Sequence, residues 1–288
     1  MTRADDREVL KTAYEAWEAE NWPVAAELLE RLARRHPDHS GAGIWWYDAA
    51  LAHKFLRNWA KAYELGREAA ARAERDSQDP AFWNLGIAAT IMEDWATARD
   101  AWRGFGVDLP DGEGEIAEDL GPGLVRLNPT GPAEVVWTRR LCPTRARVLS
   151  VPTPESGRRF GEIVVHDGEP KGRREVDGRS YPVFDELLLW RGSALPTSVV
   201  RVDVARADDV RALVAVFEER DYGAEPWSSF AAICTCCSED TLNHDADHAV
   251  TGEQRVSLAA PVDEIPALLE SWRAAAPERR RWTGTVGG

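Results

Sequence analysis

Along the first 110 positions, apolar residues recur at three- and four-residue intervals, the period of helices that bury one face. Val9, Leu10, Ala13, Tyr14 and Trp17 mark one stretch, and Ala25, Leu28, Leu29 and Leu32 the next. A second pair runs through Trp45, Trp46, Ala49, Ala50 and His53, then Ala62, Tyr63, Gly66, Ala69 and Ala70. A third runs through Phe82, Leu85, Gly86 and Ala89, then Ala98 and Trp102. Within each pair the stretches meet at a polar–aromatic step, Asn21-Trp22, Asn58-Trp59 or Asp94-Trp95, spaced 37 and 36 residues apart, with Ala25, Ala62 and Ala98 at a matching offset. His36-Pro37, Asp79-Pro80 and Leu109-Pro110 read as stops, which makes the second helix of the second pair a long one. This period with an aromatic at the turn predicts stacked helical hairpins over residues 1–112.

The pattern then changes. Residues 113–133 are rich in glycine, proline and acid and read as a linker. Over 134–195, apolar runs at Val135–Trp137 and Ile163–Val165, the alternation around Ala146 and Val148, and the stretch from Tyr181 to Trp190 predict four or five short strands in a small antiparallel sheet or barrel. Asp167-Gly168 and Asp177-Gly178 are its tight-turn signals. Over 196–288 the order reads strand 198–205, helix 208–220, strand 229–236, strand 254–259, helix 261–275 and a short strand 281–286. That β-α-β-β-α-β order is the ferredoxin-like arrangement, a host of unrelated functions. The fold class expected is an all-α unit followed by α+β, in several domains.

The third hairpin carries Phe82, Leu85-Gly86, Ala89, Ala98, Trp102 and Pro110, where the tetratricopeptide repeat family places an aromatic, Leu-Gly, a packing residue, Ala, an aromatic and Pro. Residues 5–110 resemble that family, the first two units more loosely. The resemblance implies an α-solenoid whose concave face, built from the first helix of each hairpin, binds an extended peptide. Tyr14, Tyr47, His53 and Asn84 are the candidate contacts on those helices; each could instead pack or face solvent.

Charge refines this picture. The net balance of −14 is uneven: residues 1–120 carry 14 basic and 24 acidic side chains (−10), residues 121–220 carry 16 and 14 (+2), and residues 221–288 carry 5 and 11 (−6). An acidic repeat half repels a phosphate backbone and suits a basic peptide or protein partner. Ten basic residues between Arg139 and Arg179 are interleaved with acids, so they read as a mixed solvated face or as a surface that docks on the acidic repeats. With neither a signal-type N-terminus nor an 18-residue apolar span, the sequence leads us to expect a cytoplasmic protein that uses no membrane.

Candidate chemistry clusters between the second and third strands of the last unit. Cys234 and Cys237 form a C-x-x-C pair, His244 and His248 an H-x₃-H pair, and Cys236 can replace either thiol. Zinc takes tetrahedral thiolate and imidazole ligands, so two short-spaced pairs can converge on one ion. The competing reading is two small strand cysteines and a polar loop that needs no metal. Ser156, His166 and Asp167 are hydrolase residue types, but no Gly-x-Ser-x-Gly elbow accompanies them. Three functions follow in order: a non-catalytic adaptor with a structural zinc site; a metal- or thiol-dependent enzyme at the Cys/His cluster; an acidic immunity- or antitoxin-type inhibitor of a basic partner.

Overall fold

The computed structural model describes residues 3–176, 178–227 and 251–287. The chain divides into two compact units, Met1–Ala117 and Glu118–Gly288.

The first unit is six helices: α1 (Arg3–Glu18), α2 (Trp22–Arg35), α3 (Ala42–Phe55), α4 (Trp59–Ala70), α5 (Pro80–Ile91) and α6 (Trp95–Phe105), each packed on the next. The three polar–aromatic steps fold alike. Glu20, Arg57 and Glu93 adopt φ of +53°, +55° and +58°, a left-handed conformation that non-glycine residues seldom take. The next amide, of Asn21, Asn58 or Asp94, then donates to the carbonyl five residues back (Ala16, His53, Ala89), closing the first helix of the pair. The same residue opens the second helix: Asn58 Oδ1 accepts from Lys61 N and Asp94 Oδ1 from Thr97 N, whereas Asn21 makes no side-chain cap. Four positions after each cap, Ala25, Ala62 and Ala98 are buried, small enough to let helices approach. The second hairpin's second helix is not long, contrary to the stop assigned to Asp79-Pro80: α4 ends at Ala70, and the following segment turns, with Asp76 and Gln78 at positive φ. Pro80 opens α5, where its missing N–H costs nothing, and Asp79 Oδ1 caps Ala81 N at 2.9 Å.

In the second unit, β1 (Pro122–Leu127), β2 (Glu134–Arg140), β3 (Arg145–Val148), β4 (Ile163–Val176) and β5 (Arg179–Arg191) form a closed barrel. Two expectations are corrected here. Residues 113–133 are not all linker, because β1 lies within them. Nor is the barrel wholly antiparallel: each strand runs antiparallel to the one before it, so in a five-strand meander the first and last share a direction, and β1 pairs with β5 in parallel. That closing pair is clamped at Arg126 and Asp185, cross-strand neighbours whose side chains form a two-pronged ion pair at 2.6 and 2.9 Å. The interior is filled by Val125, Leu127, Val136, Ala146, Val148 and Val164. Gly178, at φ +72°, turns β4 into β5. Asp167-Gly168 is no hairpin turn; both residues lie inside β4, where its pairing with β5 slips.

The remaining elements are β6 (Thr197–Val204), α7 (Ala207–Glu218), β7 (Gly223–Pro226), β8 (Gly252–Ala259), α8 (Ile265–Ala274) and β9 (Arg280–Gly287). The sheet order is β7-β8-β6-β9 with every pair antiparallel. Val200, Val202 and Val204 alternate inward and pack with Val256 and Leu258 against Val210, Leu213 and Phe217 of α7 and Leu269 and Trp272 of α8. The expected strand 229–236 lies outside the described residues. Among the described residues no helix is long and apolar enough to cross a membrane.

Candidate functional site

Three of the four candidate peptide contacts meet in a polar ladder across the first helices. Tyr14 Oη (α1) donates to Asp48 Oδ2 (α3) at 2.8 Å. Asn84 (α5) binds α3 twice: Nδ2 donates to Tyr47 Oη at 3.3 Å, and Oδ1 accepts from Lys54 Nζ at 2.9 Å. Tyr47 and Lys54 are seven residues apart and therefore share one face of α3. The partners are 30 to 37 residues apart in sequence, so each rung joins one hairpin to the next. Burial raises the Asp48 carboxyl and the Tyr14 phenol above their ordinary ranges, the phenol further because it donates to Asp48. The ladder is thus partly dry, where hydrogen bonds hold geometry more tightly than in water. Asp48 and Lys54, both part of it, were not singled out by sequence; the i, i+7 relation to Tyr47 is the signal that points to Lys54.

His53 does not join the ladder. It is half-buried, and the charges that act on it are Glu30 of α2 and Lys61 and Glu64 of α4, so it faces the second helices. Burial lowers its basicity. Beside it, Glu30 and Glu64 share Arg34 and Lys61. Burial alone would raise the Glu30 carboxyl, but the bonds from Arg34 and Lys61 hold it below its usual range.

The zinc candidates Cys234, Cys236, Cys237, His244 and His248 lie outside the described residues. Among the described residues no group of three or more His, Cys, Asp or Glu side chains is placed to hold a metal ion. Cys142 is a buried free thiol whose sulfur accepts from Arg145 N.

The hydrolase residue types are absorbed by local structure. Ser156 Oγ donates to Thr153 O and accepts from Arg158 N. His166 is fully buried and stacked on Phe184, its Nδ1–H donating to the Asp167 carbonyl. Burial pushes its pKa down to about 4, so the ring is neutral at physiological pH. The Asp167 carboxylate accepts from Gly168 N. Comparison with family models, with curated proteins and with solved structures finds no match for this chain.

Proposed function

We propose that this chain is a non-catalytic binding protein whose three helical hairpins, a tetratricopeptide-type solenoid, hold a segment of a basic protein partner against the first-helix face. The observation that carries this reading is the ladder Tyr14–Asp48 and Tyr47–Asn84–Lys54, which fixes α1, α3 and α5 in register. On α3, Ile44 is an exposed apolar residue one turn before Tyr47, an anchor for an apolar side chain flanked by the ladder's polar groups. The −10 balance of residues 1–120 favours basic residues around that anchor. A selection of random peptides on the full chain tests it. Selected peptides should be rich in Lys and Arg, weaken with salt, and lose about tenfold in affinity, roughly 1.4 kcal/mol, against the uncharged Ile44→Asn. Ile44 is 60% exposed, so this change leaves the fold intact. Peptides that bind wild type and variant equally would overturn the reading.

The element order and sheet order of 197–287 support a ferredoxin-like reading of that half. The C-x-x-C and H-x₃-H spacing supports a structural zinc ion there, with Cys234, Cys237, His244 and His248 as the four ligands and Cys236 able to replace either thiol. Metal analysis of untagged protein is expected to find about one zinc per chain, on the four-ligand logic of such sites, and none in Cys234→Ser/Cys237→Ser. Metal-free wild type, freshly prepared and reduced, would refute the zinc site.

A further inference from the structure

One short segment of the barrel is bonded both to the barrel and to the four-stranded sheet. Val151, Pro152 and Thr153 leave the end of β3, and two carboxylates hold them. Glu225 of β7 accepts from Val151 N at 2.7 Å. Glu134 of β2 accepts from Thr153 N at 2.9 Å and Thr153 Oγ1 at 2.8 Å. Between them Pro152 has no N–H to offer. The contact is close: a Cβ on Gly223 would lie 2.7 Å from the Phe160 ring and 2.8 Å from Val151 Cγ2, so only glycine lets β7 come this near the barrel.

In an extended segment the amides of residues i and i+2 point the same way, about 7 Å apart. Glu134 and Glu225 therefore lie side by side along one edge, partly desolvated, where two negative charges repel. Among the described residues, Glu155 adds to the repulsion on Glu134. Arg158 is paired with Glu186. The cross-strand neighbour of Glu225 is the uncharged Ser257, which accepts from Trp227 Nε1, with Arg255 over the indole.

We propose that Glu134 and Glu225 form a proton-operated clasp that fastens the four-stranded sheet to the barrel and loosens when its last proton leaves. Burial, with Glu134 adding to it, outweighs the bond from Val151 N and pushes Glu225 up from 4.5 to about 7, and burial likewise outweighs the bonds from Thr153 and raises Glu134. An acid whose folded pKa is raised stabilises the fold fully below its unfolded value and loses that contribution as pH rises through the folded one. The clasp is therefore closed at acid pH and weakens over the window from 4.5 to about 7 and beyond.

Amide hydrogen exchange on the full chain reads this directly, with each rate divided by that of an unstructured peptide at the same pH. In wild type the protection of Val151 and Thr153 should fall about tenfold from pH 6 to pH 9, the size expected for one titrating group, while β1 and β2 amides hold. Glu225→Gln should abolish the fall at Val151, the amide that Glu225 holds. Glu134→Gln removes the repulsion and should shift the fall to lower pH, which a merely structural carboxylate would not do. Flat protection in wild type, or a fall that persists unchanged in both variants, would overturn the clasp.

Discussion

Asp209→Ala is expected to destabilise the four-stranded sheet and its helices by about 3–5 kcal/mol, the cost of stranding a buried charge. Asp209, in the first turn of α7, is 1% exposed, and its Oδ1 accepts from Arg280 Nε at 2.8 Å. Arg280, which opens β9, also donates to Trp272 O at 2.9 Å and lies over the Trp272 ring. Trp272 of α8 returns a bond from Nε1 to Asp209 O at 2.8 Å. The start of α7 is thus tied to α8 and β9, 63 and 71 residues away, by one carboxylate, one guanidinium and one indole. Removing the carboxylate leaves Arg280 with its charge in a site only 11% open to water. Asp209→Ala/Arg280→Met, which removes the carboxylate and its nearest cation and leaves only the more exposed Arg279, 3.6 Å from Asp209, should recover a large part of the loss. A chain of two compact units need not unfold in one step, so the measurement is urea-dependent hydrogen exchange of α7 and β9 amides. A single-mutant cost under about 1 kcal/mol, the scale of a surface ion pair, would show that the knot does not hold the sheet.

That knot marks where sequence reading stops. The 3.6-residue period placed all six N-terminal helices, and the inward alternation of Val200, Val202 and Val204 placed β6, because both signals are local. β1 and β7 were harder. β1 is a six-residue strand with proline at its first position, inside a stretch whose composition argues for a loop; only Leu124, Val125 and Leu127 between Gly121-Pro122 and Asn128-Pro129 betray it. β7 is four residues with no alternation and a proline, and it forms because β8 and the barrel flank it. Arg145 alternates as an outward residue would, yet it is fully buried against Trp190. For the candidate site, helix placement was legible but facing was not: His53 sits one residue before Lys54 and turns to the opposite side. The carboxylate pair Glu134 and Glu225, 91 residues apart, has no local signature at all.

The same limit gives the glycines of the repeat unit opposite signs. In an exposed helix interior, Gly→Ala stabilises by about 0.5–1 kcal/mol, because glycine loses more backbone entropy on folding. Gly66, inside α4, should come close to this: a Cβ there would meet Leu85 at 3.6 Å, an ordinary contact. Gly86→Ala should instead destabilise the third hairpin by about 1–3 kcal/mol, the cost of overpacking. A Cβ at Gly86 of α5 would lie 2.6 Å from the Trp102 ring of α6, and one at Gly104 of α6 would lie 2.5 Å from the Phe82 ring of α5. Each helix therefore offers a glycine floor to the other's aromatic, and both rings are buried, at 0% and 3% exposure. Trp83 stacks edge-on against Trp102 at 5.0 Å and is itself backed by Phe105 at 4.8 Å, so the Trp102 ring has no room to swing away. Trp102→Leu alone leaves a cavity and should cost a few kcal/mol, but Gly86→Ala/Trp102→Leu should cost less than the sum of its parts, because the added methyl enters space the ring vacated. Exchange of α5 and α6 amides under increasing denaturant measures all four chains. A Gly86→Ala variant as stable as Gly66→Ala would mean that α5 and α6 are not in this close contact.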